Sequence, residues 1–202
     1  MITTIIFDFG DIFINLEKEK VSKALAAIGL QTENLLVSTL NHQYEVGAIN
    51  EIDFLLGLQK QIPNVPLNAI KDTWNTILGT FPEYRLEFLE HLAAKYPLFL
   101  LSNTDFTHIE AFKKKVGNHF YNRFVSCFEK VYYSFEMGMR KPDTAIYKFL
   151  IDAHQLNPVQ TLFVDDKEEN TNAAKKTGLR VWNLQVGKED VIDIETIIKQ
   201  LT

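Results

Sequence analysis

The sequence predicts an α/β fold: a doubly wound, Rossmann-like parallel sheet whose first strand is followed by an inserted helical-bundle cap. Three observations predict it. Short apolar runs that end in small or acidic residues recur along the chain, as in "TTIIFDFG", "PLFLLSNT", "EKVYYS", "TLFVDD" and "LRVWN". Helix-period segments separate most of these runs, the alternation expected of parallel strands joined by crossover helices. One long interval, residues 15–80, holds amphipathic stretches and no convincing strand.

Taken in order, "TTIIF" is a buried strand that delivers Asp8 to its carboxyl end. Four helical stretches follow, "EKEKVSKALAAIG", "TENLLVSTLNHQYEVG", "NEIDFLLGLQKQ" and "PLNAIKDTWNTIL", punctuated by Gly29, Gly47 and the Pro63–Pro66 stretch. This interval far exceeds an ordinary crossover, so residues 15–80 are expected to form a separate cap over a core built from residues 1–14 and 81–202. "FPEYRLEFLEHLAAKY" returns to the core as a helix with Pro82 at its start, and "LFLLSNT" is a strand ending in Ser102. "HIEAFKKKVGNHFYNRF" is helical or irregular, its Lys113–Lys115 run a solvated face. "PDTAIYKFLIDAHQL" is a helix opened by Pro142, "TLFVDD" a strand ending at Asp165, and "NTNAAKKTG" a short helix closed by Gly178. In such folds ligands sit outside the carboxyl ends of the strands, where Asp8, Ser102 and Asp165 fall.

Composition narrows the function. Of the 202 residues 46% are hydrophobic and 23% charged, an ordinary globular balance. A net charge of -5 disfavours nucleic-acid partners, which are met by concentrated Lys and Arg. Cys127 stands alone, so no intrachain disulfide forms and a reducing compartment fits. The apolar run at the N-terminus is short and broken by Asp8 and Asp11, unlike a signal peptide or membrane span. A cytoplasmic protein with no membrane partner is expected. The histidines at 42, 91, 108, 119 and 154 show no ligand spacing and are expected in solvated or capping roles.

A carboxylate at the end of a buried strand is costly unless paired, hydrogen-bonded or bound to metal. Asp8, Asp165 and Asp166 converge on one sheet edge, and a hard cation such as Mg²⁺ would relieve their repulsion. Ser102, Asn103 and Thr104 offer phosphate donors. Lys141, placed beside a helix N-terminus where the dipole disfavours a cation, could neutralise phosphate and carboxylates together.

Asp8, "SNT" at 102–104, Lys141 in "GMRKPD" and "VDD" at 164–166 together resemble the four motifs of the haloacid dehalogenase-like (HAD) hydrolases, in the order that family uses. The insertion resembles the cap of its C1-capped phosphatase branch. "YEVGAIN", "LSNT" and "GMRKPDTAIY" look most like the sugar-phosphatase relatives of α-D-glucose-1-phosphate phosphatase. The resemblance implies a Mg²⁺-dependent phosphatase acting on small phosphate monoesters, sugar phosphates first among them. It makes Asp8 the nucleophile that forms an aspartyl-phosphate. Ser102 and Asn103 become phosphoryl-binding groups, and Lys141 binds phosphate and steadies Asp8. Mg²⁺ is held by Asp8, the Gly10 carbonyl and Asp166, with Asp165 as a second or water-mediated ligand. Tyr44 and Glu45 resemble a substrate-facing cap loop.

One position departs from the family pattern. The usual D-x-D motif places a general acid two residues after the nucleophile, where this chain has Gly10. A positioned acid contributes about 10² to 10⁴ in rate, against total accelerations that reach roughly 10²¹ for phosphate monoesters, so its loss need not silence the site. Substrates with good leaving groups, such as sugar 1-phosphates, are then expected, unless Asp11 takes the acid's place. Two other readings compete: a metal-independent 2-haloacid dehalogenase, which gives the paired Asp165 and Asp166 no purpose, and a non-catalytic phospho-ligand binder, which needs no free nucleophile.

Overall fold

The computed structural model describes residues 1–31 and 34–201. Strand β1 (Thr4–Phe7) is followed by helices α1 (Lys18–Ala27), α2 (Leu35–Glu45), α3 (Glu51–Gln59) and α4 (Leu67–Trp74), then α5 (Glu83–Ala93). The remainder runs β2 (Leu98–Ser102), α6 (Phe106–Ser126), β3 (Lys130–Tyr133), α7 (Ser134–Met137), α8 (Thr144–Ala153), β4 (Thr161–Asp165), α9 (Glu168–Lys175), β5 (Arg180–Asn183) and α10 (Ile194–Leu201). The five strands form one parallel sheet in the order β3-β2-β1-β4-β5. This is the doubly wound order, and its direction reverses beside β1, where such sheets bind ligands.

The two-residue period of the strands builds two cores. Ile5, Phe7, Leu98, Leu100, Leu162 and Val164 face one side, where α5, α6 and α10 contribute Leu89, Phe112 and Ile194. Ile6, Phe99, Leu101 and Phe163 face the other, against Ile146, Tyr147 and Leu150 of α8 and Ala173 and Ala174 of α9. Each fully buried aliphatic or aromatic side chain contributes about 1.5–3 kcal/mol relative to exposure, and strands buried on both faces leave only their ends to carry polar chemistry. Cys127 is buried and unpaired, and burial pushes its thiol up to about 11.

Helices α1–α4 share a third apolar cluster of their own, including Val21, Leu25, Phe54, Leu58, Ile70 and Trp74. The two ends of this insertion pair with each other: Asn15 N–H donates to the Thr80 carbonyl (2.8 Å), Glu17 N–H to Ile77 (2.8 Å) and Gly79 N–H to Asn15 (3.0 Å). The chain therefore leaves the sheet and returns to it at one neck. Gly47, at φ +67, lies so close to the Phe135 backbone that any Cβ would collide with its carbonyl oxygen.

Several local expectations are corrected. Helix α8 opens at Thr144, with Asp143 accepting from Ala145 N–H (2.9 Å), so Pro142 stands outside it. Segment 106–126 is helical on both sides of a break at Gly117 (φ 80). Lys115 is no bystander on a solvated face, since its Nζ donates to the carbonyls of Leu78 and Gly79 at the neck (both 2.6 Å). Thr32 and Glu33, expected in the second helix, lie outside the described residues; α2 starts at Leu35, capped by Asn34. Among the described residues no helix is long and apolar enough to cross a membrane.

Candidate active site

Register brings the chemistry together. Phe7 pairs with Val164, so the next residue on each strand, Asp8 and Asp165, leaves the sheet side by side, and Asp8 N–H donates to the Val164 carbonyl (2.9 Å). Lys141 reaches between them. All three of its ammonium protons have acceptors: Asp8 Oδ1 (2.6 Å), Asp165 Oδ2 (2.7 Å) and the Leu101 carbonyl (2.7 Å). The side chain is 1% exposed. Burial opposes its charge, but Asp165 and Asp8 outweigh that and raise its pKa above the ordinary lysine value. Burial pushes Asp8 the other way, up to about 7, with Asp165 and Asp166 adding to the rise and Lys141 opposing it.

The neighbours of Lys141 hold it in place. Asn103 accepts Lys141 N–H at Oδ1 (2.9 Å) and donates Nδ2 to the Lys141 carbonyl (2.8 Å), so its amide grips backbone while the residue borders the cavity described below. Asp165 is turned inward too. Its oxygens accept Lys167 N–H (2.8 Å), Asn170 Nδ2 (3.0 Å to each) and Lys141, an arrangement that suits an anchor for the lysine. Ser102 is buried at the end of β2 and borders the cavity described below.

Asp166 and Asp11 share a cation that the sequence did not reveal. Lys18 of α1 places Nζ 2.6 Å from Asp11 Oδ2 and 3.3 Å from Asp166 Oδ2. Asp11, at φ 57, also accepts Leu16 N–H (2.8 Å), so both of its oxygens are engaged in holding the start of the insertion. Four carboxylates, Asp8, Asp11, Asp165 and Asp166, thus meet two ammonium groups, with two negative charges in excess. Ligand oxygens of Asp8, Asp165 and Asp166 lie within 4.8 Å of one another. An all-oxygen donor set with that excess fits a hard divalent cation.

Beside this cluster a cavity of about 280 Å³ lies between the sheet edge and helices α1, α2 and α4. Gly10 and Ser102 border it from the core, Val21, Leu25 and Glu45 from the insertion. Glu45 pairs with Arg140, the residue before Lys141, at 2.9 Å. Tyr44 does not border the cavity; its hydroxyl accepts Thr107 N–H (3.1 Å) and shares a hydrogen bond with Thr107 Oγ1 (2.7 Å). His108 does border it, against the expectation of a solvated or capping histidine. Its Nδ1 is 3.0 Å from Asp105 Oδ2, its ring stacks on Trp74 (5.6 Å), and Trp74 Nε1 donates to the same Asp105 oxygen (3.0 Å). Burial opposes a charge on His108, but the Asp105 carboxylate outweighs it and raises the imidazole pKa. The histidine three residues after an N-capping Asp was the available sequence signal.

Residues 2–178 match the haloacid dehalogenase-like hydrolases. The chain belongs to that family. It is 26% identical over 202 residues to a D-ribitol-5-phosphate phosphatase of Bacteroides thetaiotaomicron, covering 94% of this chain and 95% of that one. Among solved structures, a HAD family enzyme of the same organism, in complex with magnesium and inorganic phosphate, superposes with a TM-score of 0.81 at 29% identity over 94% of this chain and 97% of that one. A HAD-like family hydrolase of Porphyromonas gingivalis gives 0.84 at 27% identity over 100% and 98%. An L-2-haloacid dehalogenase of Xanthobacter autotrophicus, 15% identical at a TM-score of 0.61, shares the fold.

Within this HAD-like hydrolase the position of the usual acid is filled from elsewhere. A Cβ on Gly10 would stand 2.8 Å from Leu16 Cδ1 and 3.4 Å from its Cγ. Leu16 occupies the space a side chain at position 10 would need, so the glycine belongs to how the insertion meets the core.

Proposed function

We propose that this HAD-like hydrolase is a Mg²⁺-dependent phosphatase of small phosphate monoesters, sugar and polyol phosphates among them, working through an aspartyl-phosphate on Asp8. The observation that carries the reading is the buried Asp8–Lys141–Asp165 arrangement at the carboxyl ends of β1 and β4, beside Ser102 and a cavity. A lysine with all three protons committed orients one carboxylate oxygen and leaves the other for phosphorus. Ser102 would hydrogen-bond the transferring group, Lys141 would offset its charge, and Asn103 and Asp165 would position Lys141. Asp8, Asp166 and the Gly10 carbonyl would hold the metal, which supplies charge neutralisation at the phosphoryl oxygens. Residues 15–80 would act as the cap, with Glu45 reading the alcohol. The similarity to a ribitol-phosphate phosphatase supports the substrate class.

Phosphate release from a panel of sugar, polyol and nucleoside monophosphates, with and without Mg²⁺, tests the reading. Metal-dependent turnover of the small esters, abolished by Asp8→Asn, is expected. A folded protein silent on the whole panel, or chloride release from 2-haloacids without metal, would refute it.

A further inference from the structure

We propose that His108 is the general acid and base of this site, replacing the carboxylate that the family carries where this chain has Gly10; the inference rests on the phosphatase reading above. Three facts converge on it. Gly10 has no side chain to act as an acid, and the Leu16 side chain lies against that position. Asp11, the nearest substitute in sequence, has its oxygens occupied by Leu16 N–H and Lys18. His108 borders the same cavity as Gly10 and Ser102, and its Nδ1 is paired with a buried carboxylate.

That arrangement is a dyad. Asp105, 1% exposed, accepts from Nδ1, fixing the ring and favouring its protonated form. Among the described residues Nε2 meets the Trp74 carbonyl at 3.3 Å, longer than a well-formed N–H···O bond. Its proton is therefore held loosely and can pass to a better acceptor. The charged groups acting on the ring are Asp105 and, more weakly, Glu45, both of which favour the protonated imidazole. Trp74, stacked on the ring from the insertion, fixes the plane of the imidazole at the cavity wall that both residues border.

In the first step an Asp8 oxygen bonds to phosphorus as the ester P–O bond breaks, and the Nε2 proton passes to the departing oxygen, releasing a neutral alcohol. In the second, water bonds to phosphorus as the Asp8–phosphorus bond breaks, and the water's proton returns to Nε2. Atoms and charge balance over the cycle. The enzyme then has no need of good leaving groups, and phosphates of primary alcohols become substrates alongside 1-phosphates.

The test compares a substrate whose leaving group needs no proton, p-nitrophenyl phosphate, with an alkyl or polyol monophosphate, in wild type and His108→Gln. The alkyl-to-nitrophenyl rate ratio is expected to fall about 10²-fold or more in the variant. Equal losses on both substrates, or none, would overturn the proposal, whereas a wild type inactive on both would refute the phosphatase reading instead. Should His108→Gln fold poorly, Asp105→Asn serves. With the carboxylate gone, the alkaline limb of the alkyl-phosphate pH profile is expected to move to lower pH, and an unmoved limb would overturn the proposal.

Discussion

Lys141 Nζ lies 2.6 Å from Asp8 Oδ1, a contact between residues 133 apart in the chain that brings a fully enclosed ammonium to the end of the central strand. The same nitrogen binds Asp165 at 2.7 Å, so one cation separates two carboxylates that would otherwise confront each other in a buried site. A buried pair of this kind is weak evidence for stability, but losing one member is costly.

Lys141→Met is therefore expected to be destabilised by about 3–5 kcal/mol, a fall in midpoint of about 6 to 20 °C for a chain of this size. Its turnover, measured well below that midpoint, should fall at least about 10²-fold. Retained activity in a folded variant would show that Lys141 only supports the strands.

Restoring the family's acid should not by itself restore an acid. Gly10→Asp meets Leu16 at 2.8 Å, so the single substitution is expected to lower stability without raising phosphate release. Combined with Leu16→Ala, the new carboxylate gains room, and turnover of alkyl phosphates by a His108→Gln background should partly recover. Full benefit from Gly10→Asp alone would mean that Leu16 yields freely.

Metal binding should be visible as stability. With two excess negative charges around Asp8 and Asp166, Mg²⁺ at a hundred times its dissociation constant adds about 2.7 kcal/mol, or about 5 to 10 °C in midpoint. Lys18→Gln removes the ammonium that already offsets Asp166, so its midpoint without metal should be lower and its gain with Mg²⁺ larger. A chelator-insensitive midpoint in both proteins would contradict the site.

The Asp105–His108 pair carries its own pH signature. Asp105 is held below its ordinary value: burial raises it, but His108 and the hydrogen bonds it accepts outweigh that. Its contribution is present above the unfolded value of about 3.9 and is lost as pH falls through the lower folded value. His108 is raised, so its contribution is complete below about 6.5 and is lost as pH climbs through the higher folded value. The stability gap between wild type and His108→Gln should be widest between about pH 4 and 6.5 and narrow toward pH 9 in thermal melts. A gap independent of pH would mean that the imidazole is not held protonated.

Much of this molecule was legible in its residues because the information is local. Strands buried on both faces read as apolar runs, and the residue where each run stops, Asp8, Ser102 or Asp165, is the one the sheet delivers to its edge. Lys141 was legible as an anomaly, a cation beside a helix start. What could not be read depends on how the insertion meets the core. Nothing in "DFTHI" says that Trp74, 34 residues upstream, covers His108, and nothing in "INLEK" says that Leu16 fills the space beside Gly10 while Lys18 reaches Asp166. That the amide of Asn103 also clasps the Lys141 backbone was not legible either, since only tertiary geometry brings the two together.

The position of β1 at the centre of the sheet also sets an order of events during synthesis. Its two partners begin at Leu98 and Thr161, so the strand that carries the nucleophile waits for both flanks to be made. At about 5–20 residues per second, Asp165 is added roughly 8 to 30 s after Asp8. The insertion, whose apolar cluster draws only on nearby residues, is complete long before that. A nascent chain would therefore carry the "TTIIF" strand unpaired on its β4 side until late in translation, making metal binding a late event in the life of the polypeptide.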